Sequence, residues 1–112
     1  MDEELLKYCE DHSGSEDKLL QLIKRQTHLK VLKPRMLSGH LQGKMLEMFV
    51  KMTSGINVLE IGTFTGYASI FLARGLAPEG KLTTIDVNEE LEEMVRGFFK
   101  QSGLNDKIDY TI

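Results

Sequence analysis

The sequence predicts an α/β fold: N-terminal helices followed by a β-α-β-α-β run whose strands form a parallel sheet of order 3-2-1. Two observations carry this. The apolar pattern changes at "TSGIN" from a 3.6-residue period to short β-branched runs, and those runs ("INVLEI", "KLTTID", "KIDYTI") alternate with helical segments. Right-handed crossovers then set the strand order.

The elements follow in turn. "DEELLKYCED" reads as a short amphipathic helix with Leu5, Leu6 and Cys9 on one side and acids on the other. "HSGS" interrupts it. Ser13 or Ser15 can cap the next helix, and Ser13 with Glu16 matches a capping box. That helix runs to about Thr27, with Leu19, Leu20, Leu22 and Ile23 expected inside. "LKVLKPRMLSG" is a connector, because Pro34 biases Lys33 away from helical angles. Ser38 can cap the following helix, whose stripe of Leu41, Met45, Met48, Phe49 and Met52 is expected to be deformable core.

Beyond "TSGIN", "INVLEI" is short and almost wholly apolar, as in a strand covered on both faces. "GTFTG" is a loop, "YASIFLARGL" a helix ended by Pro78 and Gly80, and "KLTTID" the second strand. Asn88 caps "EELEEMVRGFFKQS", whose buried face is Leu91, Met94, Val95, Phe98 and Phe99, and Gly103 follows its end. "KIDYTI" begins a third strand. An apolar first strand at a sheet edge invites further pairing, so the expectation is that the sheet continues in a larger domain and that this chain is truncated.

Composition narrows the function. With 41% apolar and 28% charged residues, the 112-residue chain reads as one small globular domain. A net charge of −3 argues against a nucleic acid held mainly by its phosphates. Cys9 is the single cysteine, which excludes a disulfide framework and suits a reducing cytoplasm; no run is long enough to span a membrane. His12, His28 and His40 lack metal-ligand spacing and read as surface or capping residues. The basic cluster Lys30, Lys33 and Arg35 reads as solvated surface or a contact for an acidic group.

The chemistry concentrates between Val58 and Asn88. Ligands of open parallel sheets sit beyond the carboxyl ends of the strands, where Glu60, Gly62 and Asp86 fall. Gly62 permits close approach and Gly66 lets the following helix pack. Asp86 follows Gly66 by twenty residues, the spacing expected of a carboxylate that accepts ribose hydroxyls. Phe64 stands where a dinucleotide fingerprint needs its middle glycine, and Glu60 would repel a pyrophosphate. A nucleoside with an ammonium and a sulfonium, S-adenosylmethionine, fits better. A nicotinamide-dependent oxidoreductase and a non-catalytic protein-interaction module remain the alternatives.

"VLEIGTFTGYASIFLA", "GKLTTIDVN", "PRMLSGHLQGKML" and the "YCEDHSGSE" start together resemble the cation-dependent O-methyltransferases, the caffeoyl-CoA and catechol O-methyltransferase family, particularly its small bacterial members. The resemblance implies that residues 1–55 are a helical dimer and cofactor-lid region, and residues 56–112 the first half of a Rossmann-like class I methyltransferase domain. It implies methyl transfer from S-adenosylmethionine to a catechol-like hydroxyl held by a divalent cation such as Mg²⁺, in a homodimer. By motif position Met36 and Ser38 close over the methionine part, Glu60 faces it, and Gly62, Thr63, Phe64 and Gly66 form the loop beneath it. Asp86 takes the ribose, with Val87 beside the adenine. The family usually has serine where this chain has Ala68, so one hydrogen bond to the cofactor carboxylate is expected to be missing. The family's metal-binding acids and catalytic lysine fall beyond Ile112, so no catalytic or metal-ligating residue is expected here and the chain alone is expected to be inactive.

Overall fold

A computed structural model describes residues 2–14, 16–30 and 39–112. Helices α1 (Glu3–Asp11), α2 (Lys18–Lys30) and α3 (His40–Met52) precede strand β1 (Asn57–Ile61). Helix α4 (Tyr67–Gly75), strand β2 (Lys81–Ile85), helix α5 (Glu92–Ser102) and strand β3 (Ile108–Thr111) complete the chain. The strands are parallel in the order β1-β2-β3, with Glu60 opposite Thr84 and Ile61 opposite Ile85. This is the predicted α/β arrangement.

The sheet buries one side. Leu82, Thr84, Ile108 and Tyr110 point into the core, while Leu59 is 63% and Ile61 79% exposed. The expectation that β1 is covered on both faces is therefore corrected for this chain: β1 alternates, with Val58 and Glu60 half-buried between exposed neighbours. Right-handed crossovers put both connecting helices on the same face, which leaves the other bare.

Against the buried face lie Tyr67, Ile70 and Phe71 of α4 and Val95, Phe98 and Phe99 of α5. Leu20 and Ile23 of α2 and Val50 of α3 join the same core. Tyr67 packs edge-on to Phe71, and Phe99 edge-on to Tyr110. The Tyr67 hydroxyl donates to Glu16, and the Arg74 guanidinium pairs with Asp17, which ties the start of α2 to α4.

The methionine stripe is a second correction. Met45, Met48 and Phe49 are about half exposed and Met52 is 72% exposed. The buried face of α3 is instead Gly43 and Val50, with Leu46 packed beside them. These positions start two residues after Leu41, about 200° around the helix. Close approach decides the outcome: a Cβ on Gly43 would sit 2.2 Å from the Phe71 ring, and one on Gly75 would sit 2.7 Å from the Glu47 carbonyl. Two glycines let α3 and α4 touch, and the larger side chains turn outward. Likewise α1 has no buried residue, and Leu5 is 54% exposed.

The caps divide. Asn88 accepts from the Glu90 N–H at 3.0 Å, opening a single 3₁₀ turn (Glu89–Leu91) before α5, and Gly103 ends α5 at φ +74°. Ser13 does not cap α2. Its hydroxyl turns back to the Cys9 carbonyl, and Asp17 accepts from the Leu20 N–H at 2.9 Å in its place. Ser15, Lys33, Pro34, Arg35, Met36 and Ser38 lie outside the described residues; α3 starts after Gly39, without a side-chain cap.

Candidate functional site

Glu60 leaves β1 on the buried side, beneath the first turns of α4. Its Oε1 accepts the Thr84 hydroxyl at 2.8 Å and also the Ser69 hydroxyl. Thr63 and Thr84 are hydrogen-bonded at 2.6 Å. A hydroxyl has one proton to give. Since that of Thr84 goes to Glu60, Thr63 donates to Thr84. Thr63 is 3% exposed, and Ser69 and Thr84 are fully buried. Burial raises the Glu60 pKa; the bonds from Ser69 and Thr84 oppose that, and the charge of Asp86 adds to it. The two carboxylates therefore share one electrostatic environment.

The loop from Gly62 to Gly66 is shaped by backbone. Gly62 adopts φ +97° and Gly66 φ +86°, conformations that favour glycine. The Gly62 N–H donates to the Ile85 carbonyl at 2.8 Å, and the Gly66 N–H to Thr63 at 2.9 Å. A Cβ on Gly62 would meet no described residue within 4 Å, which leaves space above it among the described residues. At Gly66 it would meet the Phe99 ring at 2.9 Å, so this glycine lets α5 approach the loop. Phe64 holds φ +52° without being glycine. Asp86 stabilises that turn, its Oδ2 accepting the Phe64 N–H at 2.7 Å and its Oδ1 the Val87 N–H at 2.7 Å. Thr65 is buried and hydrogen-bonded to Thr27 at 3.0 Å, which anchors the loop to α2.

Beyond the strand ends is an open hollow of about 480 Å³, lined by Ile61, Gly62, Ile85, Asp86, Val87 and Ile112. Val87 is 92% exposed at its rim. The hollow thus joins apolar surface to one carboxylate, Asp86, whose oxygens keep lone pairs beyond the two backbone bonds they accept. Asp86 lines this hollow, and its charge reaches Glu60 beneath the loop.

Of the predicted residues, Gly62, Asp86 and Val87 line this hollow; Glu60 and Thr63 are joined through Thr84 beneath it, and Phe64 and Gly66 belong to the loop beside it. Ala68 sits half-buried in the first turn of α4. Sequence reasoning missed Ser69 and Thr84. Each had a signal, as a lone hydroxyl on the inward side of an apolar helix or strand. Among the described residues no three acids, histidines or cysteines converge as metal ligands. His12 and His40 bond to backbone carbonyls, of Tyr8 and Gly14. Lys30 flanks a separate hollow with Glu90 and Glu93. No described helix is long and apolar enough to cross a membrane.

A sequence model described as O-methyltransferase matches residues 10–112. Caffeoyl-CoA O-methyltransferase 2 of Petunia hybrida is 36% identical over 69 residues, covering 62% of this chain and 28% of that protein. The O-methyltransferase from Bacillus cereus, solved in complex with SAH, superposes with a TM-score of 0.86 at 31% identity, over 94% of this chain and 48% of that one. TomG from Streptomyces achromogenes, an O-methyltransferase solved with SAM, gives a TM-score of 0.89 at 29% identity, over 99% and 52%. The chain spans about half the length of these solved structures and under a third of the plant enzyme.

Proposed function

The chain belongs to the O-methyltransferase family, and from that premise we propose that it supplies the S-adenosylmethionine-binding half of a methyltransferase acting on the hydroxyl of a catechol-like small molecule. One observation carries the reading. Asp86 lines the apolar hollow at the strand ends, its charge reaches Glu60, and it takes the loop N–H of Phe64 that a pyrophosphate would otherwise use. That occupied N–H, with an acid on each side, also disfavours the nicotinamide alternative.

The parts divide the cofactor among them. Glu60 accepts from the α-ammonium, the space over Gly62 admits the methionine chain, and Asp86 accepts ribose hydroxyls while keeping its backbone bonds. The hollow beside Val87 takes the adenine. The bound cofactor supplies an electrophilic methyl carbon; this half of the site holds it in place, so that an approaching oxygen meets a fixed target. A divalent cation and the catechol-like acceptor are proposed from the family resemblance alone. The described residues do not form a cation site, and no step is assigned to one. A cytoplasmic setting suits the lone Cys9.

Calorimetry tests the reading. Heat on adding S-adenosylhomocysteine, with none on adding NAD, is the expected result; the reverse pattern would sink it. With a catechol and Mg²⁺ the 112-residue chain is expected to turn over far below a complete domain, and turnover near that rate would overturn the assignment of this half to cofactor binding alone.

The exposed Leu59 and Ile61 at the free edge of β1, and the outward Met45, Met48, Phe49 and Met52 of α3, support self-association of this chain.

A further inference from the structure

Ser69 and Thr84 come from different elements and are each fully buried, yet both give their hydroxyl proton to one oxygen, Oε1 of Glu60. Thr63 supports Thr84 from behind. Oε2 receives no hydrogen bond from any described residue. A carboxylate on a free side chain rotates about its last bond and presents either oxygen. With two donors on one oxygen, from a helix and from the neighbouring strand, that rotation is stopped.

We infer that Ser69 and Thr84 are positioning residues that lock Oε1 of Glu60, so that Oε2 is held as the single acceptor for the α-ammonium of the bound cofactor. This rests on the cofactor reading above and deepens it. The two hydroxyls have a second effect. They favour the charged carboxylate against its burial and against the Asp86 charge, the one charged group among the described residues that acts on it. Ser69 and Thr84 contact no ligand themselves; they act through Glu60.

The test compares S-adenosylhomocysteine with 5′-methylthioadenosine, which has the same nucleoside and thioether but no ammonium. Ser69→Ala and Thr84→Val are expected to weaken S-adenosylhomocysteine binding by about three- to tenfold and to leave methylthioadenosine binding unchanged. Thr84→Ser, which keeps the hydroxyl, is expected to bind like the parent. Carboxyl-carbon NMR of the unliganded 112-residue chain gives an independent readout: the Glu60 titration midpoint should move up in Ser69→Ala and Thr84→Val and stay in place in Thr84→Ser. Equal weakening for both nucleosides, or an unmoved midpoint, would overturn the clamp. If the parent chain binds neither nucleoside, the cofactor reading and the ammonium assignment fall together, while the midpoints still decide whether the hydroxyls hold Glu60.

Discussion

Ser69 and Glu60 are hydrogen-bonded across the β1–α4 turn although nine positions separate them in the chain. The bond closes the strand-turn-helix unit from inside. It also joins the carboxylate proposed to meet the cofactor to a helix packed in the core, which holds that carboxylate in place.

Glu60→Gln tests the electrostatic cost of this arrangement. The folded-state pKa of Glu60 is raised above its ordinary 4.5, mainly by burial. The folded chain therefore binds the proton more tightly than the unfolded chain, and ionising Glu60 destabilises the fold as pH rises through and above that window. The neutral glutamine avoids that cost. Thermal melts should show Glu60→Gln above the parent at pH 7.5, with the gap closing as pH falls below about 4.5. A gap that is constant with pH would contradict the assignment.

Asp86→Ala removes the acceptor for both Phe64 N–H and Val87 N–H. Water replaces the exposed Val87 bond, whereas losing the part-buried Phe64 bond costs about 0.5–1.5 kcal/mol, and Phe64 loses what holds it at φ +52°. Chemical denaturation should show that loss. Amide exchange should quicken at Phe64, with little change at Phe99. Unchanged exchange at Phe64 would mean that the loop holds itself.

Gly43→Ala places a methyl group 2.2 Å from the Phe71 ring, which is fully buried and has nowhere to go. Overpacking of this kind costs roughly 1–3 kcal/mol. Gly97→Ala, in α5 with nothing within 4 Å, should instead stabilise by about 0.5–1 kcal/mol through helix propensity. Opposite shifts in melting temperature are expected. Shifts of the same sign would show that α3 does not lean on α4 through Gly43.

Met48→Lys and Phe49→Lys alter the outward face of α3. Each should change monomer stability by no more than about 0.5 kcal/mol and reduce self-association in sedimentation. A loss of several kcal/mol would mean that the stripe is core after all.

Much of the site was legible because its signals are local. Glu60, Gly62 and Asp86 fall at strand ends, where apolar runs give way to turn residues, and the glycine spacing survives any detail of packing. Asn88 announced the 3₁₀ turn that leads into α5, and Gly103 the end of α5, through cap chemistry alone. Ser13 misled, because a serine that can cap the next helix can equally bond back to the preceding one. Ser69 and Thr84 were passed over because a single hydroxyl in an apolar run resembles tolerated core polarity until its partner is known.

The sequence by itself determined the number and order of the α-helices and strands and the carboxylate-glycine pattern at the strand ends, since hydrophobic period and turn chemistry act over a few residues. The tertiary structure alone decided which face of α3 is buried, that one side of β1 stays bare, and that two hydroxyls, from Ser69 and Thr84, converge on Glu60. Those outcomes depend on helix rotation and on contacts between distant segments. In α3 the closest approach through Gly43 outweighed the larger apolar side chains, a choice that no hydropathy pattern encodes.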